Sequence, residues 1–111
     1  MTRLRRTMRQ ILARTPVMPV LTVHDVTSAA QLAGALVRGG VFVFEVLLRT
    51  PQALDAVKAM IEAAPEADIG LGTLLEPSDV LAAVEAGVAF GVSPGLTPAL
   101  AQAVRSAGLP F

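Results

Sequence analysis

Between Gly39 and Thr50 the chain reads GGVFVFEVLLRT, an apolar run that carries one carboxylate, Glu45, and one guanidinium, Arg49, four residues later. An ionised carboxylate among apolar neighbours costs several kcal/mol unless it is paired. A carboxyl group held dry has its pKa raised towards working pH, which suits it to give and take protons. A planar guanidinium grips a carboxylate through two parallel hydrogen bonds. The chemistry these two residues offer is proton transfer beside a bound organic anion. The competing reading is an ionised, partly solvated pair at i and i+4 at an open strand end.

Such residues need a scaffold, and the surrounding pattern describes one. A strand apolar on both faces belongs to a parallel sheet covered by helices, and α/β proteins build their sites at the carboxyl ends of such strands. Val17 to Val23 is β-rich, and Asp25 can cap a helix whose apolar face uses Ala29, Leu32, Ala33, Leu36 and Val37. Gly39 and Gly40 end it, and Val41 to Leu48 forms the second strand. Thr50 and Pro51 read as cap and first turn of a helix through Leu54, Val57, Lys58, Ile61 and Glu62. A third strand, about Asp68 to Thr73, precedes a helix opened by Pro77 that passes Val80, Leu81 and Val84 and stops at Gly87. The fourth strand, Ala89 to Ser93, leads through Pro94 and Gly95 to a helix started by Thr97 and Pro98, running past Leu100, Ala101 and Val104 to Gly108.

The ends of the helices repeat: Val37-Arg38-Gly39-Gly40, Val84-Glu85-Ala86-Gly87 and Val104-Arg105-Ser106-Ala107-Gly108 each place a charged residue, then small residues and Gly. A full (β/α)₈ barrel needs roughly 250 residues, so four units in 111 residues amount to half of one. The expected fold is α/β: a (βα)₄ half of a TIM barrel with a parallel four-stranded sheet and an extra N-terminal helix. Residues 1–111 read as a single domain cut at the start of strand five, near Phe111.

Composition removes other classes. Nine basic residues balance nine acidic ones, so nothing in the net charge recruits nucleic acid. Arg3, Arg5, Arg6, Arg9 and Arg14 read as the solvated face of an N-terminal helix whose other face is Leu4, Met8, Ile11 and Leu12. Cysteine is absent, which removes disulfide and thiol chemistry and suits a reducing cytoplasm. The arginine-rich start lacks the apolar stretch and cleavage site of a secretion signal. Ala86 to Val104 is nearly free of charge, yet Pro94, Pro98 and its glycines break it into strand, turn and helix rather than a membrane span. His24, the single histidine, reads as a solvated turn residue beside Asp25, and scattered carboxylates make no metal ligand set. Gly70-x-Gly72 lacks the third glycine of a dinucleotide fingerprint, and no cofactor is expected.

Five motifs in order carry a family resemblance: Pro16-Val17-Met18-Pro19-Val20, Gly39-Gly40-Val41, Glu45-Val46 with Leu48-Arg49-Thr50, Gly70-x-Gly72-Thr73, and Ser93-Pro94-Gly95-Leu96. From about Ile11 to Phe111 the chain resembles the amino-terminal half of the 2-keto-3-deoxy-6-phosphogluconate (2-keto-4-hydroxyglutarate) aldolases. That resemblance implies a lyase that cleaves the phosphorylated keto-deoxy acid to pyruvate and glyceraldehyde 3-phosphate through a lysine Schiff base, in a barrel that assembles as a trimer. It makes Glu45 the general acid/base and gives Arg49 and Thr73 the pyruvate carboxylate to hold. The family's Schiff-base lysine lies on strand six and its phosphate turns near strands seven and eight, beyond the part matched. The sole lysine, Lys58, reads as an ordinary solvated helix residue, because a Schiff-base lysine needs desolvation.

Large apolar side chains also replace the family's usual residues. Leu47 stands where Thr is common and Leu71 where Ala is common, while Phe42 and Phe44 occupy the other face of the second strand. Counting by two from Glu45 and Thr73 puts Leu47 and Leu71 inside the barrel, where they would crowd the pyruvate pocket. Four open strands leave two free edges and an uncovered inner face. The expectation is a homo-oligomer, a dimer closing the barrel or a larger assembly, or else a sheet covered by the chain's own helices. Two functional readings follow: an aldolase fragment, inactive alone and binding 2-keto acids at most weakly, or an engineered or evolved self-associating module without catalysis.

Overall fold

Local chemistry starts most of the helices where the pattern expects them. In the computed structural model, which describes residues 5–111, Asp25 caps α2 (Val26–Arg38) by accepting from the Thr27 amide at 3.1 Å, and Thr97 caps α5 (Pro98–Ala107) by accepting from the Leu100 amide. Proline opens α5 and also α4 (Pro77–Ala86), where its missing N–H leaves nothing unsatisfied. Glu76 precedes α4 in a reciprocal box with Asp79, and Gly87 and Gly108 end α4 and α5 in the left-handed conformation. The start of α3 (Ala53–Ala63) differs from the expectation: its N-cap is Gln52, without a side-chain cap. Thr50 instead donates its hydroxyl to the Val23 carbonyl at 2.7 Å, tying the second strand's end to the first.

The strands β1 (Val20–Leu21), β2 (Val43–Leu47), β3 (Asp68–Gly72) and β4 (Phe90–Gly91) are all parallel and lie side by side in chain order. β1 is much shorter than the apolar run around it, because Pro16 and Pro19 have no N–H to donate to a ladder. Pro19 still contributes its carbonyl, which accepts from the Glu45 amide at 3.0 Å. Beyond α5 the chain runs back beside β4, where the Pro110 carbonyl accepts from the Gly91 amide at 2.8 Å.

Two apolar layers hold the sheet. On one face Phe44, Val46, Ile69 and Leu71 pack under the helices, against Ala33 of α2, Val57 and Met60 of α3, Val80 of α4 and Leu100 of α5. The other, inner face has a smaller cluster of Val43, Phe90 and Ile11, all fully buried. Ile11 comes from α1 (Met8–Leu12), so the N-terminal helix covers the inner face beside Val43, near the amino ends of the strands.

That helix corrects the solvated-face reading of the arginines. Arg6 bonds both oxygens of the buried Asp68, Arg14 pairs with the same carboxylate and donates to the Glu66 carbonyl, and Arg5 reaches the Gly108 carbonyl. The Arg14 guanidinium also stacks over the Phe42 ring, 5.8 Å from its centroid. Among the described arginines of this cluster only Arg9 is exposed without a side-chain hydrogen bond or ion pair, while Leu12, expected on the apolar face, is half exposed. Arg3 and Leu4 lie outside the described residues.

Candidate active site

The strand pairing places one row of residues across the inner face: Val20, Glu45, Gly70 and Phe90 lie abreast, and Leu47 pairs with Gly72 one step nearer the carboxyl ends. Side chains abreast on neighbouring parallel strands share a face, so Glu45 and Leu47 look inward while Phe44 and Val46 look towards the helices. β3 is bare on this inner side. A Cβ on Gly70 would sit 2.3 Å from the Phe90 ring, and one on Gly72 would sit 2.2 Å from Glu45 Oε2. The two neighbouring strands therefore fill the space above β3, Phe90 from one side and Glu45 from the other.

Leu71 is fully buried on the opposite face, in the cluster under the helices. Counting inward from Thr73 failed because Thr73 has left the strand. Its φ is 64°, a left-handed conformation rare for a β-branched residue, and this breaks the alternation of faces. The same backbone turn brings the Thr73 hydroxyl oxygen to the Arg49 Nε–H, which donates to it across 3.3 Å. Leu47 is half-buried and does belong to the inner face, its Cδ2 lying 3.0 Å from where a Gly72 Cβ would be.

Glu45 is only 7% exposed, and its Oε2 is buried without a hydrogen-bond partner. Burial raises its pKa above the ordinary carboxylate value by penalising the charged form. No ion pair joins Glu45 to Arg49 among the described residues, so the solvated i, i+4 pair is not what forms. Arg49 is exposed and bound to Thr73 instead. The site thus holds a dry carboxyl group, a guanidinium and a threonine hydroxyl at the carboxyl ends of β2 and β3. Lys58 is exposed on α3, in the helical layer behind the sheet, and His24 is exposed just after β1.

Two contributions were not foreseen from residue types. Gly72 read only as part of a motif, although a glycine paired next to a carboxylate-bearing strand is the signal for a side chain crossing over it. Asp68 read only as a strand start, although a carboxylate beginning a buried strand needs cations, and the arginine-rich N-terminus supplies them.

Parallel strands with a buried carboxyl group, a guanidinium and a hydroxyl at their carboxyl ends define an α/β protein whose candidate site lies where such sheets place theirs. The chain belongs to the KDPG and KHG aldolase family, whose model matches residues 8–111. It is 47% identical over 77 residues to the KHG/KDPG aldolase of Escherichia coli, an alignment that covers 69% of this chain and 36% of that protein. The crystal structure of the 2-keto-3-deoxy-6-phosphogluconate aldolase of Zymomonas mobilis superposes with a TM-score of 0.90 at 44% identity, over 95% of this chain and 50% of the other. The aldolase of Legionella pneumophila, solved with pyruvate captured as a covalent carbinolamine, matches with a TM-score of 0.89 at 37% identity, over 95% of this chain and 51% of that one. The chain spans about half the length of these solved relatives.

Proposed function

We propose that this chain supplies the proton-transfer and carboxylate-binding part of a Schiff-base aldolase site, one that cleaves 2-keto-3-deoxy-6-phosphogluconate to pyruvate and glyceraldehyde 3-phosphate. The observation that carries the proposal is Glu45: a buried carboxyl group with one oxygen unpartnered and a raised pKa, on the sheet end that also holds the Arg49–Thr73 pair. Glu45 donates a proton to the departing carbinolamine hydroxyl, and as a carboxylate it takes the proton of the substrate hydroxyl whose carbon–carbon bond breaks. Arg49 and Thr73 hold the carboxylate of the 2-keto acid, the guanidinium by charge-assisted hydrogen bonds.

Lys58 does not serve as the amine that condenses with the keto carbon. It is exposed on a helix, outside the dry surroundings that a Schiff-base lysine needs. The proposed chain is inactive alone, binds pyruvate weakly in the cytoplasm, needs no cofactor, and depends on further polypeptide for its lysine. No helix among the described residues is long and apolar enough to cross a membrane.

A second reading, a self-associating half barrel, is supported by the uncovered edge of the sheet at β1, where Val20 is 55% exposed and Val17, just before the strand, is 69% exposed. Val20 stands in the same inner row as Glu45, so a second copy closing the barrel would cover it. Pyruvate titration followed by amide NMR tests the first reading: shifts confined to Glu45, Arg49 and Thr73, with no borohydride-trapped adduct, are expected, and an adduct on Lys58 overturns it. Light scattering at several concentrations tests the second, since a monomer at every concentration removes it.

A further inference from the structure

We propose that Gly72 is a positioning residue for Glu45: the missing side chain at residue 72 is the berth in which the Glu45 carboxyl group lies, across the end of β3. The geometry is direct. An ideal Cβ on Gly72 would stand 2.2 Å from Glu45 Oε2, far inside contact distance, and 3.1 Å from its carboxyl carbon, tighter than ordinary contact. Nothing about the backbone at residue 72 demands glycine, because its φ is not in the left-handed region, where this structure places Gly40, Gly87 and Gly108. The glycine is needed for space, not for conformation.

The berth also explains how a carboxyl group stays buried in a sheet that is open on this side. Glu45 projects from β2 and would extend towards solvent if β3 carried a side chain here. Lying over Gly72 it is sheltered by β3 below and Leu47 beside it, whose Cδ2 is 3.0 Å from the same point. Of the charged groups at this end of the sheet, Arg49 follows β2, and His24 and Asp25 follow β1; residues 70–73 of β3 and its end contribute none. The inference rests on the reading of Glu45 as the proton-transfer group, and it adds that the shape of β3 determines where the transferable proton is presented.

The consequence is specific. In Gly72→Ala the carboxyl group must leave the berth, because the clashing atoms belong to Glu45 and the flexible end of that side chain is free to swing outward. Its titration midpoint then falls towards the ordinary carboxylate range. The test is a carboxyl-carbon NMR titration of Glu45 in the wild-type chain and in Gly72→Ala, with thermal unfolding of Gly72→Ala in the wild-type and Glu45→Ala backgrounds. The expected results are a lowered Glu45 midpoint in Gly72→Ala, and a Tm loss roughly 4–8 °C larger when Glu45 is present than when it is alanine. An unchanged midpoint overturns the proposal. Should Gly72→Ala not fold, the Glu45→Ala background decides: a folded double variant supports the berth, and an unfolded one overturns it. Neither readout involves pyruvate or turnover, so a failure of the aldolase reading leaves this result separately legible.

Discussion

Arg49 reaches the hydroxyl of Thr73 only because Thr73 adopts a left-handed backbone at the end of β3. Regular alternation would point residue 73 to the same face as Leu71, beneath the helices, and away from the inner face where Glu45 lies. An L-residue with a Cβ holds that conformation at a cost of about 1–2 kcal/mol, so strain is stored at the Arg49–Thr73 hydrogen bond.

Thr73→Gly relieves the strain and removes the hydroxyl at once. Stability is expected to stay level or rise by up to ~1 kcal/mol, since glycine's greater freedom in the unfolded chain offsets part of the gain. Thr73→Ala keeps the strain and loses the bond, so it falls by ~0.5–1 kcal/mol. Urea unfolding distinguishes the two, and both are expected to lose the pyruvate-induced amide shift at Arg49.

Glu45→Gln is expected to be more stable than the wild-type chain at neutral pH. Burial holds the folded-state pKa of Glu45 above its unfolded value of about 4.3. The native state therefore binds more protons between those two values, and stability falls as pH rises through that window and stays lower above it. Glutamine removes this dependence, so its advantage should vanish as pH is lowered to about 4. Unfolding midpoints measured from pH 4 to 8 check the sign; an advantage that grows on acidification would contradict it.

Asp68 is the anchor of the N-terminal helix. Asp68→Asn leaves Arg6 and Arg14 without their charge partner, and with both arginines partly solvated the expected loss is about 2 kcal/mol. Hydrogen exchange should show the loss first in residues 8–12, which fasten Ile11 over Val43 and Phe90.

Leu71 and Leu47 separate the two faces of the sheet. Leu71→Ala opens a cavity under the helices and is expected to cost about 2–5 kcal/mol without moving the Glu45 titration. Leu47→Ala removes a half-buried wall beside Glu45, costs less, and lets water in, so the Glu45 midpoint should fall. Chemical unfolding and the carboxyl NMR signal together read both.

Much of this protein is dictated locally. Asp25, Pro77, Thr97 and the glycines after each helix act on their own neighbours, and the apolar runs have no other use than a covered parallel sheet, so element order follows from residue types. Face and company do not. Leu71 faces the helices because it pairs with Val46, Thr73 leaves that alternation through one dihedral of its own, whether Thr50 caps a helix depends on the nearness of the Val23 carbonyl, and whether the arginines are solvated depends on Asp68, 54 residues beyond Arg14. Those outcomes are settled by which strands lie abreast, because only pairing brings a glycine on β3 under a carboxylate on β2 and turns two ordinary positions into a site.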